Sequence, residues 1–494
     1  MMINPLLCLD YPDVDVIRVD DTYYMVSTTM YFMPGCEILK SYDLVNWEHA
    51  SYVYDRLDGT PAQRLEGDEN IYGKGMWAAC LRYHKGTFYV VFVCNDTHKT
   101  YLYRSEDICG PWRKSNIEGF YHDCSLLFDD DDRVYVVYGN REVHLTELNE
   151  ELTGPKEDGI DKVIIRDSDK TPLGYEGAHF YKINGKYYIF FIHSQEDRWM
   201  RSEACFVSDT VDGEYTGGDI FVNDIGYCGT GCAQGGIVDT PDGDWYALLF
   251  QDRGAVGRIP VIIPITWEND YPVCCDDMEI LQNPVTKSTR PDYVYDSLAD
   301  SDDFRRADGP SFGLKSFWQF NHEPELSLTE LNAEQGTWSV STGKICDCIT
   351  KASNTITQRL YFPGTHCEVT LDARNIKEGD YAGLAVLQSA YGFAAVTKRD
   401  GKFYMVMVEN VVEEGNRLVK YEREAVELDS PVVKLSFDAD FMHFKDEVVF
   451  NIGPAHKMYF RLDHFTGNRA GLFMYSTIET GGVAVFSDFV LEKK

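Results

Sequence analysis

Polar or glycine turns, each followed by a run of aromatic and β-branched residues, recur five times in the first half of the chain. The copies are Asp20-Asp21-Thr22-Tyr23-Tyr24, Lys85-Gly86-Thr87-Phe88-Tyr89, Asp131-Asp132-Arg133-Val134-Tyr135, Asn184-Gly185-Lys186-Tyr187-Tyr188 and Asp242-Gly243-Asp244-Trp245-Tyr246. Their last tyrosines are 65, 46, 53 and 58 residues apart. The turn residues suit tight hairpins, and runs such as Tyr187-Tyr188-Ile189-Phe190-Phe191 read as buried strands. A second half-motif predicts an outer strand and turn of the same unit: Ser41-Tyr42-Asp43 with Trp47, Ser105-Glu106-Asp107 with Trp112, and Ser208-Asp209 with Tyr215. Almost nothing in this region has helical period. The spacing suits about four strands per unit, and five such units closing radially predict a five-bladed β-propeller over residues 1–290. The same hairpins would also build a β-sandwich.

The repeat stops near residue 290. An acidic, polar stretch at 291–303 reads as a linker, and from Phe304 to residue 494 the pattern changes to alternating strands such as Cys367-Glu368-Val369-Thr370-Leu371-Asp372 and Lys402-Phe403-Tyr404-Met405-Val406-Met407. These predict a two-sheet sandwich packed on the propeller, so the fold class is all-β. A chain of 494 residues fills two such units comfortably.

A formal charge of −34 opposes nucleic acid or an anionic membrane as a partner and tolerates a neutral ligand such as a sugar. No apolar run is long enough to span a bilayer, and the Met-Met-Ile-Asn-Pro start lacks the basic and apolar regions of a secretory signal. The expectation is a soluble, cytoplasmic chain whose oligomeric state, homo-oligomer included, stays open. The 14 cysteines are scattered with no CxxC pair and read as reduced thiols.

Three acids stand out by position. Asp13, Asp123 and Glu176 precede the repeat tyrosines Tyr24, Tyr135 and Tyr188 by 11, 12 and 12 residues. Equivalent positions on different blades converge on a propeller axis, so the three carboxylates are expected to meet. Crowded carboxylates cannot all ionise cheaply, and one protonated acid facing one ionised base is the arrangement glycoside hydrolysis requires. Shared turn chemistry would place the three acids in the same way without any reaction.

At these residues the sequence resembles glycoside hydrolase family 43, five-bladed propellers acting mainly as β-xylosidases, α-L-arabinofuranosidases and arabinanases. Asn4-Pro5 with Tyr11-Pro12-Asp13 looks like its general-base motif, Asp123-Cys124-Ser125 like that of its pKa-modulating aspartate, and Glu176-Gly177-Ala178-His179 like its general-acid motif. The usual proline after the base is Val14 here. The resemblance also implies substrate-binding roles for Trp77, in Trp77-Ala78-Ala79-Cys80, and for Arg258, in Gly257-Arg258, with Phe32 as a further pocket residue. The second domain is similar to the concanavalin-like sandwich of the family's xylosidase-type branch, through Trp318-Gln319-Phe320-Asn321-His322, Asp380-Tyr381-Ala382-Gly383-Leu384 and Phe465-Thr466-Gly467-Asn468-Arg469. In relatives a loop of that domain closes the pocket, which places Phe465 there and favours exo cleavage.

The resemblance implies inversion by single displacement, with Asp13 activating water, Glu176 protonating the leaving oxygen, Asp123 orienting Glu176, and xylo- or arabino-oligosaccharides as substrates. Room for the water calls for carboxyl groups about 6.5–9.5 Å apart. Many members carry a fifth-blade His that organises a central calcium, whereas Gln234 stands in that stretch here; no cofactor is required, no metal ligand is assigned, and a structural calcium stays open. The alternatives are a non-catalytic carbohydrate-binding propeller and an arabinan-directed member of the family.

Overall fold

The computed structural model describes residues 3–168 and 170–494. Five four-stranded antiparallel sheets follow one another along the chain. Blade I holds Asp15–Val19, Thr22–Ser27, Gly35–Ser41 and Glu48–Tyr54; blade II holds Met76–His84, Thr87–Cys94, Lys99–Ser105 and Arg113–Ile117. Blade III holds Ser125–Phe128, Val134–Tyr138, Glu142–Leu148 and Asp161–Arg166, and blade IV Glu176–Ile183, Lys186–Ser194, Arg201–Ser208 and Thr216–Phe221. Blade V holds Gly236–Asp239, Trp245–Asp252, Arg258–Glu268 and Tyr271–Cys274. Each repeat tyrosine lies on the second strand of its blade, and Ser41, Ser105 and Ser208 end third strands, where their hydroxyls accept backbone N–H groups of the following turn.

Blades are covered on both faces, which is why their strands are apolar without alternation. In blade IV, Tyr188 and Phe190 pack toward blade V while Ile189 and Phe191 pack toward blade III. The ring closes between blades I and V, where Val14 bridges Gly235. Asn4 pins the N-terminal segment there: its amide donates to the carbonyls of Ile262 and Leu281 at 2.8 and 2.7 Å and accepts from Ile262 N–H at 2.9 Å.

The axis is filled by charge. The Asp15 carboxylate accepts from Arg82 Nη1 at 2.7 Å and lies 3.0 Å from His179 Nδ1, while Arg82 Nη2 reaches Ser125 Oγ at 2.6 Å. Burial works against ionisation of Asp15, but Arg82 and His179 outweigh it and hold its carboxyl at about 2. Ser125 and His179, singled out in sequence as neighbours of acids, thus hold four blades together at the centre.

Residues beyond the propeller supply seven strands of an eight-stranded antiparallel sheet and all of a seven-stranded one, as a sandwich requires. Strand Gly364–Asn375 turns Cys367, Val369, Leu371 and Ala373 inward, the alternation seen in the sequence. One edge of the eight-stranded sheet is Phe32–Met33, which pairs with Gln319–Asn321 and so carries a piece of blade I's chain into the second domain. The stretch read as a linker is docked: Tyr293 packs on Tyr42 at 4.6 Å, Asp296 N–H donates to Glu48 at 2.8 Å, and Asp302 bridges Phe489.

Candidate active site

Asp13 and Asp123 sit on equivalent turns just before the inner strands of blades I and III. Both adopt the left-handed backbone region, with φ of 52° and 49°, a conformation Asp tolerates better than most residues. Each turn is tied to its own blade's second strand: Pro12 O accepts from Ser27 Oγ at 2.6 Å and Thr28 N–H at 3.2 Å, and His122 O accepts from Gly139 N–H at 3.0 Å. Glu176 opens the inner strand of blade IV at a β-bulge, a device that re-aims a side chain. Gly177 makes the bulge: its φ is 62°, and a Cβ there would sit 2.0 Å from Cδ of Gln234. An equivalent bulge starts blade II and carries Trp77.

The three carboxyls share one site. Arg258 Nη1 donates to Asp13 Oδ1 at 2.8 Å, and Asp123 feels the charges of Glu176, Asp13 and Arg258. His122 lies between two of the acids, 3.7 Å from Asp123 and 3.9 Å from Glu176, and Asn140 donates to Glu176 Oε2. Burial, with repulsion from Glu176 and Asp13, pushes Asp123 up to about 7 against the pull of His122 and Arg258. Burial opposes charge on His122, but Asp123 and Glu176 outweigh it and raise the imidazole to about 9.

Aromatic walls flank these groups. Trp77 lies 5.6 Å from both His122 and Phe465, and the Arg258 guanidinium lies 4.8 Å over Phe465. Arg258 Nε and Nη2 and Trp77 Nε1 are buried beside these walls with no hydrogen-bond partner among the described residues. Arg258 is set by the turn before it: Gly257 has φ 112°, and a Cβ there would meet Asp10 Oδ1 at 2.3 Å. Asp10 uses that approach to bind Arg258 N–H at 2.7 Å and Gly467 N–H, on the loop bearing Phe465, at 2.9 Å.

Phe32 is 1% exposed, its ring 3.5 Å beneath the Arg469 guanidinium, in the strand that joins the sandwich sheet. It belongs to the buried cluster against which Trp77 and Phe465 pack. The residues that sequence reasoning passed over are His122, Asn140 and Asp10. His122 was visible as the neighbour of Asp123, and Asn140 follows a second strand just as Arg258 does.

The residues present do not fit a central calcium. Gln234 offers one neutral amide, packed on Gly177, and the cation on the axis is Arg82. His122, Asp123 and Glu176 place possible ligand atoms within 4.8 Å of one another, but they are the groups of the acid site and supply only two carboxylates, fewer oxygens than calcium takes.

A propeller with convergent carboxyls and aromatic walls defines a carbohydrate-processing site, and comparison with known proteins gives its kind. The family model "Glycosyl hydrolases family 43" matches residues 2–272, and "Beta xylosidase C-terminal Concanavalin A-like domain" matches 301–492. The chain belongs to glycoside hydrolase family 43. It is similar to a beta-xylosidase of Formosa agariphila, with 27% identity covering 97% of this chain and 88% of the relative. It is also similar to a non-reducing end alpha-L-arabinofuranosidase of Bacteroides ovatus, with 26% identity over 67% of this chain and 63% of that one. Among solved structures, a bifunctional GH43-CE protein of Bacteroides eggerthii has 39% identity and a TM-score of 0.90; the match covers 99% of this chain, which spans 63% of that longer one.

Proposed function

We propose that this glycoside hydrolase is an exo-acting, inverting β-xylosidase, α-L-arabinofuranosidase or both, acting on hemicellulose-derived oligosaccharides. The observation that carries the reading is the division of labour among the acids. Asp13 gives one oxygen to Arg258 and is the base that takes a proton from water as it attacks the anomeric carbon. Glu176 stands beside His122 and Asp123 and is the acid that protonates the leaving oxygen, while Asp123, whose charge opposes ionisation of its neighbour, positions it. Trp77 and Phe465 offer apolar faces to the sugar's C–H groups, and Arg258 beside them holds the base Asp13. The Phe465 loop, reaching over from the sandwich, walls one side of the pocket and supports exo cleavage. Relatives named as xylosidase and as arabinofuranosidase support both specificities.

No metal enters the reaction in this reading. A panel of 4-nitrophenyl pentosides tests it: turnover of the β-D-xyloside or the α-L-arabinofuranoside is expected. Carbohydrate binding with no turnover of either would favour a non-catalytic propeller.

A further inference from the structure

The residues of the site divide by blade. Asp13 and Arg258 come from blades I and V, Trp77 from blade II and Phe465 from the sandwich, whereas Asp123 and Glu176 come from blades III and IV. Under the function proposed above, Glu176 protonates the leaving oxygen, so the departing chain exits over blades III and IV. Blade IV has an unexplained feature on that side. Glu176 pairs with Ile192, and Ser194, two residues further along the same strand, pairs with Arg201. The loop 195–200 between them therefore projects from the same end of the blade as the acid. Strand spacing and rise put Arg201 on the order of 10 Å from Glu176, within reach of a short oligosaccharide.

At the tip of this loop Trp199 is 54% exposed, beside exposed Glu196, Asp197 and Arg198. The indole is not loose. The Arg201 guanidinium lies 5.5 Å from its ring centre, and Arg201 is itself held by Asp252 at 2.6 Å and by the Phe250 ring at 5.0 Å. Phe250 lies in turn 5.2 Å from the Arg258 guanidinium that holds Asp13. A tryptophan supported on one face by a fixed cation, with its surface left to water, is a preformed stacking platform.

We propose that Trp199 floors a leaving-group subsite that stacks the xylopyranose units on the reducing-end side of the scissile bond. The xylan backbone is the leaving chain whether the pentose removed is xylose or arabinofuranose, so the subsite serves both specificities. This rests on the reaction proposed above.

Two measurements test the subsite separately from the reaction. The first is kcat/KM for xylobiose, xylotriose and xylotetraose, or for the matching arabinofuranosylated series, in wild type and in Trp199→Ala and Trp199→Phe. Wild type is expected to improve with chain length. Trp199→Ala should lose at least five-fold of that improvement, mainly through KM, and Trp199→Phe should recover most of it. A Trp199→Ala protein with the wild-type dependence on chain length overturns the proposal. The second measurement uses Glu176→Gln, which need not turn over: xylotetraose should change its tryptophan emission, and adding Trp199→Phe should remove most of the part of that change that xylose alone, which reaches Trp77 only, does not produce. A difference between xylotetraose and xylose that survives Trp199→Phe undiminished counts against the subsite. Wild type inert to every aryl pentoside would overturn the reaction instead, and the emission measurement would still decide for or against Trp199.

Discussion

In the proposed reaction Glu176 and Asp13 do different work on the same substrate, and the difference is measurable at single residues. Glu176→Ala removes a proton donor that a sugar leaving group needs and a dinitrophenolate does not. The loss should be about 10²–10⁴-fold on oligosaccharides and much smaller on dinitrophenyl glycosides. Asp13→Ala leaves the water unactivated whatever departs, so steady-state kinetics should show a large loss on both. The positions of these acids were legible because a repeat converts sequence offset into spatial equivalence. The roles of His122 and Asn140 were not, although His122 adjoins Asp123 in the sequence, since they arise where the exit of one strand meets the turn before another. The cross-domain contacts of Phe32 were hidden for the same reason: its partners Asn321 and Arg469 are far along the chain, and no local pattern announces them.

At the level of elements, the short turn 254–257 and the loop 465–469 are held as one piece by Asp10, whose two oxygens bind Arg258 N–H and Gly467 N–H. Asp10→Ala should loosen both pocket walls while Asp13 and Glu176 stay in place. A fall in kcat/KM of about ten-fold or more is expected, with near-native circular dichroism. Asp446 of the sandwich supports the same turn, its Oδ1 accepting Ala255 N–H at 3.1 Å. Burial raises its carboxyl from 3.8 to about 6, outweighing that bond and the pull of Lys457. A carboxyl raised in this way costs nothing below about pH 4 and weakens the fold increasingly as pH rises through 6. Asp446→Asn keeps an acceptor without the charge, so urea unfolding should show a gain of about 1–3 kcal/mol at pH 8 and none near pH 4. The blades were legible as elements because hairpin turns and paired aromatics recur. The docking of residues 291–303 was hidden by their acidic composition, although Tyr293 and Tyr295 carry the contact with Tyr42.

Across the whole molecule the two domains are one construction. Glu37 of blade I and Arg359 of the sandwich form a buried ion pair at 2.8 Å, Arg359 also binds Asp10 O and the Tyr11 hydroxyl, and the Phe32–Met33 strand crosses between the domains. Removing one partner of such a pair leaves the other charge buried and unpaired, at a cost of about 3–5 kcal/mol. Calorimetry should therefore show a single transition for the native protein, and a single, lower one for Arg359→Ala. Two resolved transitions would mean that the domains fold apart. The central claim is that Asp13 drives water directly onto the anomeric carbon with no glycosyl-enzyme between. Proton NMR of an aryl β-D-xyloside digest, read before mutarotation, tests it most directly: α-xylose should form first, with an aryl α-L-arabinofuranoside likewise giving the inverted β-anomer, whereas first-formed product of retained configuration would contradict the account.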